Sequence, residues 1–304
     1  MVERRPGVMP PKPGPPPRQI PRERIVRRRL AAVGGVLLVL VVVFALVGIA
    51  TRRKSGAGAP ATTAVVLAKP FRIVFPEGFT RRDMAHRVQV VAKIAQAKHR
   101  GHVVLSQRTY LAATHPRVLA GFGSKKRPLE GFLFPATYDF LAATTSAQLV
   151  HQQLVAFAQN WSHVDLRYAR SKNLTPYDVL TIASMVEKEA LAPDERPLIA
   201  AVIYNRLHDR MPLGIDATIR YGLNVPGTQS LLESELQSNN PYNTRKFAGL
   251  PPTPIANPGL ASIQAAAHPA HVDYLYFVRK PDKVHHYFTA SFNDFVNHER
   301  KYGY

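Results

Sequence analysis

The sequence predicts an α+β protein carried behind a single N-terminal transmembrane helix. Three observations predict it. Residues 30–50 (LAAVGGVLLVLVVVFALVGIA) form an uncharged apolar run. From residue 69 onward, strand-like alternation and helical periodicity follow one another. No internal repeat interrupts them.

Each segment has its physical reason. Residues 1–29 are rich in Pro and Arg, cannot bury an apolar core, and are expected to form a disordered basic tail in the cytoplasm. The 21 residues of the run, at about 1.5 Å each, span a hydrocarbon core of ~30 Å. A cleaved signal peptide would need an apolar region of only ~7–15 residues. Nine Lys/Arg precede the run and three follow closely, which puts the N-terminus inside and the rest outside the cytoplasmic membrane. Residues 51–69 read as a linker, with KSGAGAPATTA at 54–64 its flexible part.

Composition narrows the function. The chain of 304 residues has a formal net charge of +20 and no Cys. That removes disulfide frameworks, thiol nucleophiles and Cys-based metal sites. Twelve basic residues against two acidic ones stand in the first 54, flanking the apolar run. The charge therefore reads as membrane topology rather than nucleic-acid binding.

The folded pattern begins with FRIVFPEGFT (71–80), a strand turning at Pro76-Glu77-Gly78. Thr80 caps a helix to about Lys98, with Met84, Val88, Val91 and Ile94 on one face. Ser106 caps a shorter helix containing Tyr110 and Leu111. These make a small α+β module. RPLEGFLFPATYDF (127–140) opens a larger region, with helices expected at 145–160, 176–190 and 194–209. After Met211 the chain turns rich in Gly, Pro and Asn. Residues 274–280 and 285–291 alternate as a hairpin around Pro281-Asp282-Lys283, and 292–302 closes as a helix.

The helix at 176–190 carries a conflict. Thr175, Pro176 and Asp178 form a strong helix start. With Val179 at 0° and about 100° per residue, Glu187 falls near 80°, inside the apolar arc. Lys188 falls near 180°, and Glu189 near 280°, at the arc's far edge. Glu187 is thus the misplaced charge. It is either a buried ion pair with Arg206 or Arg196, or a carboxyl whose pKa burial raises for proton donation. Glu189 reads as a solvated or ion-paired helix end.

ASMVEKEA (183–190), VIYNRL (202–207), MPLGIDATIRYG (211–222), NNPYNTRKFAGLPPTPIANPG (239–259), AAAHPA (265–270) and YLYFV (274–278) occur in this order. Together they resemble the YceG-like (MltG) family of endolytic murein transglycosylases, over about residues 70–304. LEGFLFPATYDF (129–140) resembles that family's lead-in segment. The resemblance implies a LysM-like module at 70–125 and an α+β catalytic domain at 126–304. It implies a membrane-anchored lyase of cell-wall biogenesis. The bond cleaved is the β-1,4 bond between N-acetylmuramic acid and N-acetylglucosamine within peptidoglycan strands. The products are 1,6-anhydro ends, and the cut would terminate nascent strands. Its catalytic residue would be Glu187, which opens the EKE motif. Protonated Glu187 would donate to the glycosidic oxygen and then take the proton of the muramoyl 6-hydroxyl as that group attacks C1. No water-activating or nucleophilic second carboxylate is then needed, unlike ordinary glycosidases.

The matched blocks supply substrate-binding candidates. Asn205 lies on the next helix beside Arg206, where a structural salt bridge is the competing reading. Asp216 and Thr218 could bind sugar or form a turn. Tyr242, Asn243 and Thr244 could stack on and hydrogen-bond a sugar, although Asn-Pro-Tyr-Asn is also ordinary turn chemistry. GLPPTPIANPG reads as a rigid cleft wall. His268-Pro269 reads as a helix end. His285 and His286 lack metal-ligand spacing, so neither a metal nor a cofactor is expected. Many relatives carry Gln and Pro in the block where this chain has Gly214 and Ala217, and an aromatic where it has Arg245. The expected partners are peptidoglycan strands, the cell membrane and peptidoglycan synthases (penicillin-binding proteins), with no nucleic acid. A hydrolytic muramidase and a non-catalytic wall-binding scaffold are the competing functions.

Overall fold

A computed structural model describes residues 70–99 and 102–303, which form one mixed α+β unit. The transmembrane helix expected in the fold class is corrected. Among the described residues no helix is long and apolar enough to cross a membrane. The longest, at 19 residues, carries Arg, Asp, His and Lys along its length. The run at 30–50, the tail at 1–29 and the linker at 51–69 all lie outside the described residues.

The chain opens with β1 (Phe71–Val74), α1 (Arg81–His99) and α2 (Gln107–Ala113). Both helices start as their sequences suggest. Thr80 and Asp83 exchange hydrogen bonds around the first turn of α1, and Ser106 forms a capping box with Thr109. These side chains satisfy N–H groups that a helix start otherwise leaves open. β1 pairs antiparallel with β2 (Thr137–Phe140), in the register Phe71↔Phe140. Beneath lies a core of Ile73, Phe75, Met84, Val88, Tyr110, Leu129, Leu133 and Phe140. The strand that completes this small sheet, and part of its core, therefore come from beyond residue 125.

α3 (Ser146–Trp161) bridges two cores. Leu149 and Val150 pack on the first, and Phe157 packs on the second. After α4 (Arg167–Ser171) comes α5 (Pro176–Glu189), the centre of the larger core. Its Thr175 capping box and its Pro in the first turn are present. Tyr177 and every residue from Val179 to Val186 are buried. Full burial of side chains such as Ile182 and Met185 stabilises the fold by roughly 1.5–3 kcal/mol each. α6 (Arg196–His208) and α9 (Leu260–Ala267) pack against α5, as does α7 (Asp216–Leu223). A single 3-10 turn, Pro193–Glu195, leads into α6 where one continuous helix was expected. α8 (Glu233–Leu236) is a short turn of helix. The hairpin β3 (Tyr276–Arg279) and β4 (His286–Thr289) pairs Arg279 with His286, and α10 (Phe292–Tyr302) closes the chain.

Candidate functional site

The end of α5 meets the turn after β1. The Gly78 N–H donates to Asn257 O at 3.0 Å, and the Asn257 N–H to Phe79 O at 2.9 Å. Asn257 is fully buried. Its side-chain oxygen accepts from Gly131 and Leu133 N–H at 2.9 Å each. Its amide donates to Phe79 O and to Glu130 Oε1. One side chain thus fastens the first module, the 129–133 segment and the 254–259 loop together.

Glu187 belongs to this junction. Its Oε2 accepts the Gly259 N–H at 3.0 Å. The expected ion pairs do not form. Arg206 is spent on the carbonyls of Leu275, Pro212 and Leu213, and Arg196 donates to Ser262 Oγ. The Glu77 carboxylate lies against Gly259, where a Cβ would collide with it. Burial, and then the charge of Glu187, push the Glu77 carboxyl above its usual range.

Glu189 reverses expectation. It is half-buried and lines a cleft of about 930 Å³ together with Thr80, Arg82 and Asp83 of the first module and Asp216, Arg220 and Tyr221 of α7. Burial pushes its carboxyl up to about 7. Nearby Asp216 raises it further, while Arg279, Lys188 and Arg220 act the other way. The negative end of α5 acts in the same direction as burial. The wheel failed here because α5 is wrapped on nearly all sides. Position on an apolar arc then no longer separates buried from wet. What matters is which residue of the last turn faces the opening.

The other candidates divide. Asp216 lines the cleft and pairs with Arg245 at 2.6 Å, so the departure at 245 supplies a cation to this aspartate. Tyr242 packs its ring on Tyr221 at 5.1 Å and shares a hydrogen bond with Thr253. Thr218 and Thr244 are buried and bonded to each other at 2.9 Å and to Ile215. Buried Asn243 clamps the carbonyls of Leu236 and Ser238. Asn205 donates to the carbonyls of Val272 and Tyr274. These five support the walls and have no side chain on the main cleft.

Residues not singled out from the sequence join the site. Glu130 is 2% exposed and accepts from the Arg81 N–H, from Asn257 and from the Tyr221 hydroxyl at 3.0 Å. Burial outweighs those donors and pushes it up to about 7. An acid between Leu129 and the Gly131-Phe132 pair was the available signal. Among the described residues no cluster of His, Asp and Glu could hold a metal ion.

The model of the YceG-like family matches residues 55–301. The endolytic murein transglycosylase of Bacillus subtilis (strain 168) is 39% identical over 155 residues, 51% of this chain and 43% of that protein. That of Streptococcus pneumoniae (strain R6) is 35% identical over 226 residues, 68% of this chain and 40% of that protein. The chain thus spans less than half the length of these curated relatives. A crystal structure of a YceG-like protein from Listeria monocytogenes superposes with a TM-score of 0.62 at 30% identity, covering 76% of each chain.

Proposed function

The chain belongs to the YceG-like family, and from that premise we propose that it is an endolytic murein transglycosylase whose proton donor is Glu189. The carrying observation is a carboxyl on the wall of a polar cleft, pushed up to about 7 by burial. Such a group holds a proton near neutral pH and can give it up in the reaction. Protonated Glu189 donates to the glycosidic oxygen as the C1–O4 bond breaks. The muramoyl 6-hydroxyl closes on C1 and leaves a 1,6-anhydro end. Glu187, holding the Gly259 N–H, is a strut of the same helix. The reading implies work on the wall side of the cytoplasmic membrane, where the glycan is. A LysM-like, glycan-contacting role for the first module is supported by Thr80, Arg82 and Asp83 on the cleft wall.

A second reading, hydrolytic muramidase, is favoured by Asp216, a second carboxylate on the same cleft. Arg245 Nε lies 2.6 Å from its Oδ1. Mass spectrometry of glycan strands after treatment separates the two. The transglycosylase leaves 1,6-anhydro ends, the muramidase leaves reducing ends, and a binding scaffold leaves strands intact.

A further inference from the structure

The β3–β4 hairpin brings His286 to the cleft, held from behind by Glu195 of the 3-10 turn. Glu195 and His286 are both buried. Glu195 Oε1 accepts the His286 backbone N–H at 2.8 Å, and Oε2 lies 2.7 Å from His286 Nδ1. A carboxylate there fixes the proton on Nδ1, so the neutral ring keeps its lone pair on Nε2. Nε2 has no hydrogen-bond partner among the described residues. Phe277 meets the ring edge-on at 5.3 Å, which restrains its rotation. His286 lines the same cleft as Glu189. Its cross-strand neighbour Arg279 donates to the Glu189 carbonyl at 3.5 Å. Burial holds the imidazole below its usual pKa against the opposing pull of Glu195, so it is neutral and able to accept a proton at neutral pH.

We propose that His286, oriented by Glu195, is the catalytic base that takes the proton of the muramoyl 6-hydroxyl, leaving Glu189 to act as acid alone. The inference rests on the transglycosylase reading above. Glu189 gives its proton to the departing O4 as C1–O4 breaks. O6 forms the new bond to C1, the O6–H electrons stay on oxygen, and the proton passes to Nε2. The imidazolium then sits beside the Glu195 carboxylate. Proton return from His286 to Glu189 through solvent restores both groups, with no net proton consumed. The pair divides acid and base between two sites whose surroundings push their pKa values apart, as in other acid–base enzymes.

The test is the pH profile of kcat/KM for the purified full chain on glycan strands. The charged groups facing His286 are Glu195 from the 3-10 turn, Arg279 from β3 and Asp282 from the hairpin turn, with Glu189 and Asp216 on the cleft beyond. His286→Gln should lower the rate by about 10²–10⁴-fold and abolish the acid limb. Glu195→Gln removes the charge that stabilises the imidazolium, so it should move the acid limb to lower pH and slow the reaction. Added imidazole should restore part of the rate of His286→Gly. A folded His286→Gln enzyme with the wild-type rate, or one that is slow with its acid limb intact, overturns the proposal. If His286→Gln does not fold, an acid limb unmoved in Glu195→Gln overturns it instead. Full activity of Glu189→Gln would sink the parent reading, a separate outcome.

Discussion

The Gly259 backbone N–H donates to Oε2 of Glu187 at 3.0 Å. This bond ties the last turn of α5 to the loop that also holds Asn257, and through Asn257 to the first module. The carboxyl group that the helical wheel singled out is therefore used in joining two parts of the fold. Two residues on, Glu189 is left facing the cleft.

Glu187→Gln keeps an oxygen acceptor for Gly259 and should cost less than about 1 kcal/mol. Glu187→Ala leaves a part-buried N–H without a partner, which costs about 1–3 kcal/mol. Urea unfolding of the two variants checks this. Equal midpoints for Glu187→Ala and wild type would show that the bond contributes nothing.

Two glycines should respond differently to Ala. Gly131 has φ +90°, and a Cβ there would sit 2.8 Å from both Cβ and Cγ of Pro254. The left-handed backbone and the rigid ring together should cost about 2–4 kcal/mol. At Gly259 the colliding group is the end of the Glu77 side chain, which can swing away. Thermal unfolding should rank Gly131→Ala well below Gly259→Ala. The reverse order would contradict the packing described.

Much of this architecture was legible in the sequence. The Thr80, Ser106 and Thr175 helix starts are local chemistry, written in three or four adjacent residues. The hairpin and the last helix follow from periodicity. The pairing of β1 with β2 was not legible, because it joins segments more than sixty residues apart. Glu130 and Asn257 were missed for the same reason. Each looks like an ordinary loop residue until distant donors and acceptors converge on it. Helical periodicity could not place Glu189 on the cleft, because it reports one wet face, and α5 has almost none.

Stability should depend on pH through Glu130. Its folded-state pKa of about 7 lies above the ordinary 4.5. The stabilisation from its proton is complete below about 4.5 and is lost as pH rises through 7. Glu130→Gln removes that titration. Its stability relative to wild type should rise by about 1–3 kcal/mol between pH 5 and pH 8, measured by urea unfolding. A difference independent of pH would mean that Glu130 ionises as it does in the unfolded chain.

The most direct test exchanges each glutamate of the EKE motif for glutamine and measures 1,6-anhydro ends by mass spectrometry. Glu189→Gln preserves shape but has no proton to give, and should lower the rate by about 10²–10⁴-fold while the protein folds normally. Glu187→Gln, which still receives the Gly259 N–H, should stay within about tenfold of wild type. The opposite result, with Glu189→Gln cleaving at the wild-type rate and a folded Glu187→Gln inactive, would return the proton donor to Glu187 and contradict the account.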